Sequence, residues 1–209
     1  RVRPPFGHFT QEWFFEKETL ERFAKQTAMP TTLSAQEVSM EIFLKEMDEA
    51  GIEKGVVWPR TSFGIFGSKN GNTNVNDDRA ELVKKSPDRF CAAAAIDIFD
   101  VAHTEEIIEK YIVEGPCCAI IMEPGMAAEW RFDDSRLYPI YEKCQRENIL
   151  VTLVFGGLFG RGLEYYNPAD LDKVSRDFPD MNLVLTHGGW PYTTETCWIA
   201  YHRPKVTLS

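Results

Sequence analysis

The sequence has no long uncharged hydrophobic run, and positive charge is in short supply. No run reaches the roughly 18 apolar residues that a membrane span requires, which argues against a transmembrane segment. Lysine and arginine together number 23 against 32 aspartates and glutamates, and the net charge is −9 over 209 residues. Such an acidic balance disfavours nucleic acid and anionic membranes as main partners. A small anionic substrate stays compatible, because a pocket can be locally basic inside an acidic protein.

The number of cysteines is odd. Most of the cysteines stand in apolar runs, so we interpret them as reduced, buried thiols of a cytoplasmic protein, and not as a disulfide framework or a zinc knuckle. The sequence contains no GxSxG elbow, P-loop, GxGxxG turn, HExxH or CxxC motif, and the chemistries that depend on them find little support. The five cysteines are Cys91, Cys117, Cys118, Cys144 and Cys197.

Seven short apolar runs are the strongest structural signal. Each is nearly continuous in apolar residues, as expected for strands buried on both faces of a parallel sheet. The predicted strands are centred on Val2 or span Gly55–Trp58, Phe90–Asp97, Cys117–Glu123, Ile149–Gly156, Asn182–Gly188 and Lys205–Ser209. The predicted helices span Gln11–Lys25, Ala35–Ala50 after a Ser34–Glu37 capping box, Asn76–Lys85, His103–Val113, Asp134–Glu147 and Ala169–Phe178.

The alternation of strands and helices predicts the α/β class and a (β/α)₈ TIM barrel in a single domain over residues 1–209. The sequence starts at Arg1 without a methionine and stops at Ser209 inside a strand-like run. We therefore expect a piece of a longer protein, with the last β/α unit missing. A doubly wound open sheet is the alternative, and it is less favoured because no glycine-rich turn follows the first strand.

His187 is the strongest candidate for a catalytic residue. In TIM barrels the reacting groups come from the carboxyl ends of strands, and His187 ends the strand NLVLTHGG, followed by two glycines that leave room for a ligand. An imidazole there can act as a general acid or base, or bind a metal. The alternative is a structural histidine. By contrast, His103 is predicted to begin a helix and His202 to lie in a loop before the last strand.

Three arginines are candidates for binding an anion. Arg1 and Arg3 alternate on the first predicted strand and so point the same way, and Arg60 follows the second strand. A guanidinium presents a planar fork that matches a carboxylate. The pair on the first strand can equally be an exposed edge, and the spacing alone does not decide between the two.

Glu123 ends the fourth predicted strand in IIMEPG, directly after a run of apolar residues. Burial would raise the pKa of such a carboxyl and make it a proton-transfer group. An ion pair with one of the arginines is the structural alternative.

The pattern resembles the amidohydrolase-related superfamily, in particular its branch around aminocarboxymuconate-semialdehyde decarboxylase and related metal-dependent hydrolases. The resemblance rests on the segments NDDRAELVKKSPDRF, FDDSRLYPIYEKCQRENILVTLV and YNPADLDKVSRDFPDMNLVLTHGGWPY. It implies a TIM barrel in which His187 is a catalytic or metal-site residue at the end of strand six, and it allows assembly as a homo-oligomer.

The sequence departs from that family where the metal ligands are expected. The family's HxH pair on strand one reads Arg1-Val2-Arg3 here, and Phe155 stands where strand five of the family ends in a histidine. Zinc needs three or more nitrogen, oxygen or sulfur ligands, and a protonated arginine repels a cation. The sequence therefore predicts no metal and no cofactor, although zinc is usual in the family.

These residues together predict an amidohydrolase-related hydrolase or carboxy-lyase that acts on a small carboxylate. His187 and Glu123 are the predicted catalytic groups, and substrate binding is assigned to Arg1, Arg3, Arg60, Phe155 and Trp190. Because two guanidinium groups can stabilise a carboxylate or enolate but cannot generate hydroxide, decarboxylation or hydration gains over metal-assisted hydrolysis. The alternatives are a metal-dependent hydrolase with unidentified ligands and a catalytically inactive barrel that binds a metabolite.

Overall fold

Six parallel strands form one sheet in the order β1-β2-β3-β4-β5-β6. The structure is a computed structural model, and it describes residues 17–28, 30–37, 39–57, 74–155 and 162–209. Neighbouring strands in the chain are also neighbours in the sheet, which is the connectivity of a TIM barrel. The strands are β1 (Gly55–Val57), β2 (Phe90–Ala95), β3 (Ala119–Met122), β4 (Leu150–Leu153), β5 (Leu183–Leu185) and β6 (Val206–Leu208).

Helices precede and separate these strands. The α-helices are α1 (Lys17–Thr27), α2 (Leu33–Glu37), α3 (Met40–Glu49), α4 (Asn74–Lys85), α5 (Val101–Ile108), α6 (Pro124–Ala128), α7 (Tyr138–Arg146), α8 (Pro168–Asp177) and α9 (Thr193–His202). A π-helical turn, Glu109–Val113, continues α5, and short 3₁₀ turns span Ser135–Leu137, Leu163–Tyr166 and Thr186–Gly189.

The two faces of the sheet bury different side chains. Successive residues of a strand point to opposite faces, and on β4 Val151 and Leu153 join the large core that also contains helix residues such as Ile140 and Leu171. We call this the helix side. The other face, which faces the interior of the barrel, is called the bore side. Its buried cluster is small and consists of Ala93, Ala119 and Ile121, with Leu150 and Val154 packed against it.

The predicted fold class is confirmed, and the described strands form part of a TIM barrel. The second to seventh predicted strands correspond to β1–β6, each beginning within two residues of its predicted start. The strand centred on Val2 lies outside the described residues, and so does the first part of the helix predicted over Gln11–Lys25.

The helix predicted over Ala35–Ala50 is wrong as a single element, because α2 and α3 divide it. Ser39 is the N-cap of α3 and its hydroxyl accepts a hydrogen bond from the Ile42 backbone N–H. The predicted capping box at Ser34 does not form either. Ser34 instead donates both its backbone N–H and its hydroxyl to the Glu46 carboxylate, so a tertiary contact takes the place of the local one.

Three smaller expectations also need correction. His202 is the last residue of α9 and not a loop residue, and α5 begins at Val101, two residues before His103, with Asp100 as its N-cap. Of the five cysteines only Cys117 and Cys144 are buried, while Cys118 and Cys197 are exposed. Among the described helices, none is both long and apolar enough to cross a membrane.

Candidate functional site

The register of β2 to β6 aligns the residues that follow the carboxyl ends of these strands. Ala95 pairs with Ile121, Met122 with Leu153, Leu153 with Leu185 and Leu185 with Leu208. Side chains alternate between the two faces along each strand. If this alternation continues past the strand ends in the same register, one residue after each strand points to the bore side. We call these residues the rim row: Asp97, Glu123, Val154, Thr186 and Ser209.

His187 follows the rim row on β5 in a left-handed backbone conformation. Its φ is 58°, and Gly188 and Gly189 after it have φ values of 58° and 75°. This conformation is uncommon for a residue with a side chain, and here it turns the chain so that the His187 side chain is exposed at the end of the strand. No hydrogen bond of the imidazole ring is found within the described part of the chain.

The turn that carries His187 is fixed from both sides. The Gly188 N–H donates to the Ser209 carbonyl at 2.7 Å, and the Thr196 hydroxyl, on α9, lies 3.0 Å from the Gly188 carbonyl oxygen. A Cβ on Gly189 would overlap the Thr196 side chain. Gly189 is therefore required by packing as well as by backbone conformation, whereas Gly188 is favoured by its backbone conformation alone.

Glu123 is half-buried between β3 and α6, in the N-cap position of that helix. Tyr166 lies close enough to interact with it electrostatically. Burial, and then the negative charge of Glu123, raise the pKa of Tyr166 to about 12, so this phenol stays protonated. The Tyr166 ring is fully buried, and its hydroxyl has no hydrogen-bond partner among the described residues.

Asp97 follows the end of β2, and the register aligns it with Glu123. The predicted strand Phe90–Asp97 ends at this residue, but the sequence analysis assigned it no role. Its Oδ1 accepts the Phe99 backbone N–H at 3.0 Å, and its Oδ2 lies 3.6 Å from Nδ1 of His103. The Asn76 amide fixes the strand just before it, because it bonds both the N–H and the carbonyl of Ala95 at 2.8 Å. The sequence thus marks Asp97 as a carboxylate at a strand end, and the register is what aligns it with Glu123.

Phe155 lies on the helix side and not beside the bore. Its side chain has no exposed surface, and its ring is 5.4 Å from Phe132 and 5.9 Å from Tyr166. At the end of β4 the residue on the bore side is Val154, which the sequence analysis missed. The hydrogen bond between Phe155 and the rim row is made by the Phe155 backbone, whose N–H donates to the Thr186 hydroxyl at 3.2 Å.

The structure brings Glu123 and His187 to the same edge of the sheet, with β4 between their strands. Two strand spacings, about 10 Å, separate β3 from β5, and Val154 is the apolar residue at the end of β4 between them. Trp190 follows the His187 turn and is half-exposed. Arg1, Arg3 and Arg60 lie outside the described residues, so their predicted contacts with an anion stay predictions.

A zinc ion would need at least three ligands in close geometry. Among residues 17–28, 30–37, 39–57, 74–155 and 162–209, no group of three or more histidine, cysteine, aspartate or glutamate side chains is placed to hold a metal. The described residues alone therefore do not fit a zinc centre.

Comparison with known proteins assigns the chain to a family. A model of the amidohydrolase family matches residues 22–209. An uncharacterized TIM-barrel protein from Bordetella bronchiseptica is 33% identical, with a TM-score of 0.81 over 94% of this chain and 68% of its own length. No curated protein matches the sequence significantly.

Two more distant solved structures share the fold. The 4-oxalomesaconate hydratase from Rhodopseudomonas palustris is 22% identical, with a TM-score of 0.62 over 91% of this chain and 67% of the hydratase. The 5-carboxyvanillate decarboxylase from Sphingomonas paucimobilis is 16% identical, with a TM-score of 0.57 over 90% of this chain and 64% of the decarboxylase. At these identities the likeness concerns the fold alone.

Proposed function

This chain belongs to the amidohydrolase family, and from that premise we propose that it catalyses proton transfer on a small carboxylic acid at the carboxyl ends of its strands, as a decarboxylase or a hydratase. One observation carries the proposal: Glu123 and the exposed His187 stand on either side of an apolar strand end. A small substrate held over Val154 would have a proton-transfer group on each side.

The chemistry follows from the two side chains. An imidazole changes its protonation near neutral pH and can serve as a general acid or base. In decarboxylation the bond between the carboxylate carbon and its neighbour breaks, carbon dioxide leaves, and an acid delivers a proton to the remaining carbanion. In hydration one group removes a proton from water as it adds to a double bond, and the other protonates the adjacent carbon.

Two proteins that share the fold are compatible with this reaction class. The hydratase and the decarboxylase named above share the fold, and the names of their substrates describe carboxylic acids. Binding of the substrate carboxylate is assigned to Arg1, Arg3 and Arg60, whose guanidinium groups suit a planar anion. Trp190, half-exposed beside the His187 turn, would cover an aromatic or unsaturated substrate.

The test is turnover of a panel of small aromatic and unsaturated carboxylic acids by the parent protein and two variants. We expect His187→Asn and Glu123→Gln each to lower kcat about 100-fold or more and to leave KM within a few-fold. Glu142→Gln, which changes an exposed glutamate on α7, is the matched control. Activity within about threefold of the parent in both site variants would contradict the assigned roles.

Arg3→Gln tests the anion clamp separately. We expect a higher KM for the carboxylate substrate, because a charge-assisted pair is lost. An unchanged KM would remove the clamp from the proposal and leave the acid–base pair standing. Stoichiometric zinc bound at His187 would favour the metal-dependent hydrolase instead.

A further inference from the structure

A cavity lies at the opposite end of the strands from the rim row, where β5 and β6 begin. It has a volume of about 250 Å³ and is formed by the end of α8, the end of α9 and the segments that lead into the two strands. Residues at this end of a TIM barrel usually serve stability. The lining residues are Ser175, Arg176, Phe178, Pro179, Met181, Leu183, His202, Arg203, Pro204, Lys205 and Val206.

The lining is basic although the protein is acidic. Arg176, Arg203 and Lys205 contribute to it, and none of the residues that line it carries a carboxylate. Asp172, which is not part of the lining, forms ion pairs with both arginines. Its Oδ1 lies 2.8 Å from Nη2 of Arg203, and its Oδ2 lies 3.4 Å from Nε of Arg176. One carboxylate thus balances two guanidinium groups.

Lys205 adds a third positive charge. Its ammonium group bonds the neutral amide oxygen of Asn182 at 3.3 Å, and within the described residues it forms no ion pair. The ring of His202 adjoins the same cavity, with Nδ1 2.9 Å from the Trp198 carbonyl. A hydrogen bond donated to that carbonyl leaves Nε2 for another partner.

The simplest explanation of these cations is that they lie at the C-terminal ends of α8 and α9. The negative end of a helix dipole amounts to about half a charge and attracts cations. Two helix ends therefore offset about one of the three positive charges, and Asp172 offsets another. An excess of positive charge therefore remains in the cavity, and the two helix ends do not account for it.

The floor of the cavity is apolar. Phe178, Met181, Leu183 and Val206 are all buried and form part of its lining. This volume is slightly below the range of about 300–1,000 Å³ that is typical of ligand pockets, so the cavity suits only a small ligand. An apolar floor beneath a basic rim suits a small organic molecule that carries one anionic group.

We propose that this basic cleft, defined by the eleven lining residues above, binds a small organic anion, a carboxylate or phosphate ester on an apolar body, at a site separate from the rim row. Arg176 and Lys205 hold the anionic oxygens and the apolar residues contact the body. The proposal does not depend on the reaction proposed for the strand ends, because it uses other residues at the other end of the sheet.

The experiment follows amide chemical shifts of the full chain during titration with benzoate, phenyl phosphate and inorganic phosphate. We expect saturable shifts at residues 175–183 and 202–206 with at least one organic anion, and weaker binding of inorganic phosphate because it lacks an apolar body. Benzoate and phenyl phosphate distinguish a carboxylate ligand from a phosphate ester. Shifts confined to residues 185–190 would overturn the proposal, since they would report the rim row.

Variants connect the binding to the named cations. Loss of one charge-assisted hydrogen bond costs about 1.5–3 kcal/mol, or about 10- to 100-fold in Kd, so we expect Arg176→Gln and Lys205→Gln each to weaken binding by at least tenfold. Lys173→Gln, one turn earlier on α8 and outside the cavity, is the control and keeps the parent Kd. Equal Kd values in all variants, or no binding to the cleft below about 10 mM, would refute the site.

Both substituted side chains are exposed, so the variants are expected to fold, which their spectra verify directly. Inorganic phosphate bound as tightly as phenyl phosphate would show that the apolar floor contributes nothing, and would overturn the assignment to organic anions.

Discussion

The two faces of the same sheet differ in what their side chains do. On the helix side, β4 contributes large residues with no exposed surface, such as Leu153, which pack among aromatic rings of the helix layer. On the bore side, β2 and β3 contribute the small Ala93 and Ala119, and the carboxylates of Asp97 and Glu123 stand at the strand ends. Stability thus depends mainly on one face, while the other face ends in the carboxylates of the rim row.

This division lets the chemistry vary without disturbing the core. Each rim-row residue is held by a strand whose opposite face is anchored in the helix layer. Substitutions on the helix side should therefore cost stability, and substitutions on the bore side should mainly change activity. The four predictions below test that difference.

The largest expected effect comes from adjacent residues of β4 that point to opposite faces. Leu153→Ala removes a fully buried side chain from the helix side and should lower the free energy of unfolding by about 2–5 kcal/mol. Val154→Ala, on the half-buried bore side, should cost about 1 kcal/mol. Urea denaturation measures both. Equal losses would contradict the assignment of the faces.

The next effect concerns the amide that fixes the end of β2. Asn76→Ala leaves the buried N–H and carbonyl of Ala95 without their 2.8 Å partners and should cost about 2–4 kcal/mol. Asn182→Ala is the control. It breaks a 2.8 Å bond to the side chain of Asn148 and a 3.3 Å bond from Lys205, both at a solvent-exposed site, and should cost less than about 1 kcal/mol. A small loss for Asn76→Ala in the same assay would show that water replaces the amide.

The glycines after His187 provide a matched pair at the rim. Gly189→Ala meets the Thr196 side chain and also has a positive φ, so we expect a loss of about 2–3 kcal/mol together with loss of activity. Gly188→Ala has a similar φ but nothing within 4 Å of the new Cβ, and should cost about 1 kcal/mol. Thermal unfolding compares them. If Gly188→Ala is the more damaging, packing against Thr196 does not fix the turn.

The smallest expected effect concerns a surface carboxylate on the helix side, that of Asp177. The Tyr138 hydroxyl, at 2.6 Å, and then the Lys173 ammonium lower the pKa of Asp177. Because the pKa is lower in the folded state, its stabilisation is present above about pH 4 and is lost as the pH falls through the lowered value.

The magnitude should be at most about 1 kcal/mol, since the side chain is 39% exposed. Unfolding midpoints measured between pH 6 and pH 2.5 should show this acid loss in the parent and not in Asp177→Asn. Tyr138→Phe removes the larger contribution and should give an intermediate result. An identical acid loss in parent and Asp177→Asn would assign it to other carboxylates.

The strands were the most predictable part of the fold. Runs such as Ile149–Gly156 are apolar on both faces, and strands of that kind are found in parallel sheets covered by helices. Helix boundaries were less predictable. The apolar spacing from Ala35 to Ala50 is compatible with one helix. Only the tertiary contact between Ser34 and Glu46 explains why α2 and α3 are separate helices.

The sequence by itself determined that strands alternate with helices, and that a histidine followed by two glycines ends one of them, because apolar runs and glycines constrain the chain locally. Tertiary structure decided which face each strand-end residue occupies. Phe155 and Val154 are adjacent and both apolar, so no local signal tells which one points to the bore. That choice depends on the register with β3 and β5, and the same register places Asp97 beside Glu123.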